Sequence, residues 1–265
     1  MKYSIIDFHT HPFDSYERNI CGHLEYANMS KENTKRDFLS IGVEKICGSV
    51  IEGSARTHIK TFSDVRRLND IALNLAKEYE GFYISGFHIH PRFVKESIAE
   101  IERMNKLGIR LIGELVPYIH KWDAYYDKNM AQILEVVAHY EMVVSIHGPY
   151  GEQQEQQMDE MIRNHKDVLF VAAHPGEKTE FLRHLKRMEI SENYHLDLSG
   201  TGLFRHGLLR HGIDEFGASR FLYGSDYPIC NPGTFIGGVM YDFLLSETEK
   251  EQIFYKNAVN ILKLD

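Results

Sequence analysis

The chain has 265 residues, of which 43% are hydrophobic and 26% are charged, so it can bury a core as one domain or two small ones. Its 30 Lys and Arg residues against 38 Asp and Glu residues give a net charge of −8, which argues against a broad basic surface for extended nucleic acid. The three cysteines are widely spaced and form no C-x-x-C pattern, which argues against a disulfide framework.

The start of the chain and its apolar runs bear on location. A predicted strand follows Met1 within four residues, which leaves no room for a signal peptide, and no apolar run approaches the roughly 18 to 20 residues that span a bilayer. We therefore expect a cytoplasmic protein with a small-molecule substrate and no membrane partner. The sequence leaves the oligomeric state open, with a homo-oligomer as one option.

Apolar runs alternate with amphipathic stretches along the whole chain. The runs predict eight strands, at residues 4–8, 45–51, 82–88, 110–115, 143–147, 169–174, 195–198 and 220–224. The amphipathic stretches predict helices at residues 64–79, 94–106, 130–140, 158–165, 180–189, 203–216 and 247–264. This alternation predicts a parallel sheet closed into a (β/α)8 TIM barrel, with residues 1–265 as a single domain. The segment 12–32 is predicted to be a long loop on the catalytic face, either a lid or substrate wall or a loop without a role.

Metal-competent side chains stand at the ends of several predicted strands. The first strand leads into His9-Thr10-His11, and the fifth, sixth and eighth runs lead into His147, His174 and Asp226. Side chains two apart on a strand point to the same side, so His9 and His11 can close on one ion. Imidazole with carboxylate suits zinc, iron or manganese. The sequence therefore predicts a divalent metal site, zinc first among the candidates, at the strand C-terminal ends.

This order of ligands resembles the metal-dependent amidohydrolase superfamily. The segment 224–228, G-S-D-Y-P, is similar to the eighth-strand motif of its amidohydrolase-related branch, and the segment 257–262 resembles that branch's final helix. The resemblance implies a barrel with one or two divalent ions. His9 and His11 would hold the more buried ion, with Asp226 as ligand and proton shuttle. His147 and His174 would be further ligands, and in a one-metal site His174 would instead orient water or polarise the substrate.

Glu114, at the end of the fourth predicted strand, bears on the metal count. The Gly113-Glu114 pair resembles the TatD-like hydrolases, whose Glu contacts both metals, whereas one-metal decarboxylases usually lack it. The alternative is a glutamate oriented by an Arg or His near the barrel mouth. The resemblance therefore favours two ions over one.

The resemblance implies a hydrolase that directs a metal-bound hydroxide at a small-molecule amide, ester or lactone. Two alternatives stay open: a TatD-like phosphoesterase or nuclease, and a metal-dependent decarboxylase of aromatic or muconate acids.

Further polar residues follow the third and fourth predicted strands. His88, His90, Arg92 and His120 are predicted to contact the substrate, the alternatives being packing histidines and a solvated charge. His184, in a helical stretch away from the strand ends, is predicted to lie on the surface.

Overall fold

The eight predicted strands are all present in the computed structural model, which describes residues 2–21, 29–53, 59–202 and 205–264. They are β1 (Ile5–Thr10), β2 (Val43–Gly48), β3 (Tyr83–Phe87), β4 (Leu111–Leu115), β5 (Val143–His147), β6 (Leu169–Ala173), β7 (Tyr194–Asp197) and β8 (Phe221–Leu222). Each pairs in parallel with the next in chain order. The predicted (β/α)8 TIM barrel is confirmed.

The seam between the last and first strands is joined by backbone hydrogen bonds. The amide of Phe8 donates to the carbonyl of Tyr223 at 2.9 Å, and the amide of Asp226 donates to the carbonyl of His9 at 2.8 Å. The seam therefore brings the chain after β8 beside the tip of β1, where ligands bind in such barrels.

Helices cover the outside of the barrel. They are α1 (Lys31–Ser40), α2 (Phe62–Glu78), α3 (Val94–Lys106), α4 (Pro117–His120), α5 (Lys128–His139), α6 (Gly151–Asn164), α7 (Lys178–Ile190), α8 (Leu208–Phe216), α9 (Pro232–Met240), α10 (Glu247–Glu251) and α11 (Asn257–Leu262). One π-helical turn, Gln252–Lys256, joins α10 to α11. None of the helices in the described ranges is both long and apolar enough to cross a bilayer.

Helices α1, α4 and α9 were not predicted from the sequence. Helix α1 buries only Thr34 and Phe38, so it carries little apolar periodicity. Helix α4 is a single turn, and α9 contains adjacent glycines that weaken its helical pattern. Residues 203–204 of the predicted helix 203–216 lie outside the described residues.

The predicted loop at residues 12–32 ends where α1 begins. Phe13 and Cys21 are buried, and Ile20 lines the cavity described below. Residues 22–28 of this predicted loop lie outside the described residues.

Candidate metal centre

His9 and His11 face each other at the tip of β1. The Nδ1 atom of His9 lies 2.8 Å from a carboxylate oxygen of Asp197, and Nδ1 of His11 lies 3.0 Å from the carbonyl oxygen of Ser49. Because a carboxylate and a carbonyl only accept hydrogen bonds, both Nδ1 atoms carry protons. In the neutral rings the two Nε2 atoms, 3.2 Å apart, therefore present lone pairs to one another.

Two carboxylates complete this cluster. Oε2 of Glu114 lies 3.4 Å from Nε2 of His9 and 3.3 Å from Nε2 of His11. Oδ1 of Asp226 lies 3.6 and 3.4 Å from the same two atoms, and it is buried without a hydrogen-bond partner. Ligands around a four-coordinate zinc ion stand about 3.4 Å apart, given bonds of about 2.1 Å. The donor set therefore fits a divalent cation.

The second oxygen of Glu114 faces another pair of histidines. Oε1 lies 2.9 Å from Nδ1 of His147 and 3.5 Å from Nε2 of His174. His147 ends β5 and His174 directly follows β6, so adjacent parallel strands deliver them to the same edge. Both triads, Glu114 with His9 and His11 and Glu114 with His147 and His174, have ligand atoms close enough to share an ion.

Opposing effects of burial and charge set the protonation of the cluster. Burial opposes a charge on His9, but Asp197 and Glu114 outweigh it and raise the pKa of this imidazole well above its usual value. Burial likewise opposes a charge on His11, yet the nearby carboxylates of Asp226 and Glu114 raise its pKa to about 9. These shifts favour the protonated imidazoles, so a metal ion bound at Nε2 would compete with protons.

The pKa values of Glu114 and His174 are lowered, in contrast to those of His9 and His11. Burial opposes the ionisation of Glu114, but the charges of His9 and His147 hold the pKa of its carboxyl well below its usual range. Burial lowers the pKa of His174. These two shifts favour an ionised carboxylate on Glu114 and a neutral imidazole on His174.

Asp197 and Ser199, at the end of β7, hold two of the histidines in place. The Ser199 hydroxyl donates to Oδ1 of Asp197 and accepts from Nδ1 of His174 at 3.1 Å. The other oxygen of Asp197 is the partner of His9. Neither residue was predicted from the sequence; the available signal was two polar residues, two apart, at the end of an apolar strand.

The backbone at this edge adopts conformations that are uncommon for L-residues. His174 and Asp226 have φ angles of 66° and 62°, in the left-handed region. Gly200, with φ of 62°, packs so closely that a Cβ atom there would lie 2.2 Å from Nδ1 of His174. Residues in this region cluster at functional sites, where the surrounding structure holds them.

The cluster opens into a cavity of about 360 Å³, within the range of small-molecule sites. Glu114, His147, His174 and Asp226 line it. The walls also contain apolar and aromatic side chains, namely Ile20, Val116, Tyr118, Tyr150 and Ile229.

The four predicted substrate residues lie outside the lining of this cavity. His88 and His120 are buried with their rings edge to face at 4.6 Å, and Nε2 of His88 donates to the carbonyl of Val50 at 2.9 Å. His90 is also buried, and Arg92 pairs with Asp123.

These three histidines are held neutral. Burial lowers the pKa of His88 to about 4, lowers that of His90, and lowers that of His120 well below its usual value. Their contacts are those of packing and loop support, and their predicted contact with substrate remains a prediction.

The surface position predicted for His184 is wrong. Its side chain is buried, and Nδ1 lies 2.6 Å from the hydroxyl of Tyr194. Helix α7 packs against β7 here, and His184 shares its inner face with Phe181, Leu185 and Met188, whose spacing already marks that face in the sequence.

Known structures share this fold at low sequence identity. The 2,6-dihydroxybenzoate decarboxylase from Rhizobium aligns with a TM-score of 0.75 at 16% identity, covering 99% of each chain. A dihydroxybenzoic acid decarboxylase from Polaromonas sp. JS666, with bound manganese and 2-nitroresorcinol, aligns with a TM-score of 0.73 at 15% identity over 99% of this chain and 97% of its own. A probable 2-pyrone-4,6-dicarboxylic acid hydrolase from Acinetobacter baumannii aligns with a TM-score of 0.70 at 13% identity over 98% of this chain and 100% of its own.

Sequence comparison gives the family. No curated protein sequence matches the chain significantly. The family model described as Amidohydrolase matches residues 6–264, nearly the whole chain. With the barrel and the histidines and carboxylates at its strand ends, this match shows that the chain belongs to the amidohydrolase family of enzymes.

Proposed function

We propose that this enzyme is a metal-dependent hydrolase that cleaves an amide, ester or lactone bond of a small molecule at a centre of two divalent ions, zinc or manganese. The observation that carries the proposal is the placement of Glu114, whose two oxygens face two different pairs of imidazoles. A carboxylate so placed can bridge two ions.

The proposal assigns a separate donor set to each ion. His9, His11, Asp226 and one oxygen of Glu114 would hold the first ion, and His147, His174 and the other oxygen of Glu114 would hold the second. Ions bound there would acidify water and polarise a substrate carbonyl.

In this proposal Asp226 moves the proton. Its Oδ1 is buried beside the first pair of histidines and has no hydrogen-bond partner, and the residue also lines the cavity. Its carboxylate can therefore accept a proton from the attacking water and return it to the leaving group.

Decarboxylation is the second candidate, favoured by the similarity in fold to several decarboxylases. It would use one ion at His9, His11 and Asp226, and it would leave His147 and His174 for the substrate. A phosphoesterase would use the same two-ion centre as the hydrolase.

The test begins with metal content. Chelator-stripped protein is titrated with zinc or manganese, and bound metal is measured by elemental analysis. The loaded enzyme is then assayed with esters, lactones, amides and phosphodiesters, and with 2,6-dihydroxybenzoate for release of CO₂. We expect two equivalents of metal and hydrolysis of a carboxylic acid derivative. Saturation at one equivalent together with CO₂ release would overturn the proposal in favour of a decarboxylase.

A further inference from the structure

Tyr150 makes the outer hydrogen bond of His147. Its hydroxyl lies 3.1 Å from Nε2 of His147, while Nδ1 of the same ring faces Glu114 at 2.9 Å. Only Gly148 and Pro149 separate the two residues, and α6 begins directly after Tyr150. The amide of Tyr150 donates to the side-chain oxygen of Gln154 at 2.8 Å, which ties this short connection to the first turn of the helix.

The hydrogen-bond partner of His147 differs in chemistry from the partners of His9 and His11, the two histidines at the tip of β1. Asp197 and Ser49 offer His9 and His11 a carboxylate and a carbonyl oxygen, so each of those rings has a single permitted tautomer. A tyrosine hydroxyl can donate or accept. The hydrogen bond to Tyr150 is therefore compatible with either tautomer of His147.

One tautomer of His147 suits a centre without the second ion, and the other suits a centre that holds it. With a proton on Nδ1, His147 donates to Glu114, and the Tyr150 hydroxyl donates to Nε2. With a proton on Nε2, the ring donates to Tyr150, and Nδ1 presents a lone pair beside Oε1 of Glu114. The exchange moves one proton from Nδ1 to Nε2 and turns the tyrosine hydroxyl from donor to acceptor, so no net proton is gained or lost.

We propose that Tyr150 is a positioning residue for the second ion, because it accepts the Nε2 proton of His147 and so frees Nδ1 as a ligand. This inference rests on the two-ion centre proposed above. Outer partners of this kind hold the ring orientation and the tautomer of a ligating histidine, and their loss typically costs 10- to 100-fold in metal affinity.

Tyr150→Phe tests the proposal with little risk to folding, since the side chain is 59% exposed. Tyr126→Phe is the matched control, because it also removes a tyrosine hydroxyl 3.1 Å from a histidine Nε2, that of His165, which is not part of the cluster. Stripped protein is titrated with cobalt(II) or zinc in competition with a chromophoric chelator. This measurement gives the two dissociation constants without reference to activity.

We expect Tyr150→Phe to raise the second dissociation constant by about 10- to 100-fold and to leave the first unchanged, with Tyr126→Phe resembling the wild type. Equal second constants in wild type and Tyr150→Phe would overturn the role of Tyr150. A wild-type protein that binds one ion would instead overturn the proposed two-ion centre.

A second measurement reads the tautomer directly. Nitrogen NMR of ¹⁵N-histidine-labelled protein loaded with zinc, with His147→Gln to assign the signal, should show a protonated Nε2 on His147. A proton on Nδ1 of His147 in the loaded protein would contradict the proposal.

Discussion

Nε2 of His174 and Oε1 of Glu114 lie 3.5 Å apart, and neither atom has a proton to offer the other. The Ser199 hydroxyl donates to Asp197, so it accepts the Nδ1 proton of His174 and leaves a lone pair on Nε2. Despite burial, the charges of His9 and His147 lower the pKa of the Glu114 carboxyl, and burial lowers the pKa of His174. Two electron-rich atoms at this separation repel, and a cation between them would relieve that repulsion, which supports the proposed second ion.

Asp226→Asn should retain metal and lose turnover by about 10²- to 10⁴-fold, because the amide keeps a ligand oxygen but cannot accept a proton. Elemental analysis and kcat on the best substrate check this. Turnover equal to that of the wild type would reduce Asp226 to a ligand.

Asp197→Asn should weaken binding of the proposed first ion by about 10- to 100-fold, because a neutral amide replaces the carboxylate that accepts the Nδ1 proton of His9. Competition with a chromophoric chelator measures the first dissociation constant. Asp123→Asn, which removes an exposed carboxylate paired with Arg92, is the control. If both variants bind the first ion equally well, Asp197 has no part in metal binding.

Gly200→Ala should displace His174, because the added methyl group would lie 2.2 Å from Nδ1 of that ring. We expect weaker binding of the second ion and a lower melting temperature. The control is Gly81→Ala, since Gly81 also has a positive φ, of 77°, but no atom within 4 Å of an added Cβ. The control should show only the backbone cost of a side chain at positive φ, about 1 to 2 kcal/mol. Equal metal affinity in the two variants would show that the contact with His174 is not needed.

His184 should make stability depend on pH. Burial, with the charge of Arg187, lowers its folded pKa to about 3, against about 6.5 in the unfolded chain. Between these two pKa values, His184 binds a proton in the unfolded state but not in the folded state. The free energy of unfolding is therefore unaffected by this proton above about pH 6.5, and it declines by up to about 1.4 kcal/mol per pH unit as the pH falls towards 3.

Urea unfolding from pH 8 to pH 4 measures this contribution. His184→Gln should be less stable at pH 8, because the hydrogen bond to Tyr194 changes, and its stability should fall less steeply with acid. His211→Gln, at an exposed position, should keep the wild-type slope. Identical slopes in all three proteins would contradict the prediction.

The strands and the histidines of the candidate site were predictable because each carries a local signal. An apolar run ending in a metal-competent side chain, as at His147, needs no knowledge of distant residues. The partners of these histidines depend on the closed barrel. Asp197 is 188 positions from His9 in the chain, and the contact exists only because β7 approaches the seam. Tyr150 was missed for a different reason, since an exposed tyrosine in a loop has many structural uses.

The hydrogen bond from the amide of Asp226 to the carbonyl of His9 joins residues from opposite ends of the chain. During synthesis, His9 and His11 leave the ribosome long before Asp226, and Glu114 follows at an intermediate time. The proposed first ion would therefore find its full donor set only after Asp226 has been made. An ion at this site would bind only after the apolar residues around Ile6 and Phe8 are available to form the barrel core.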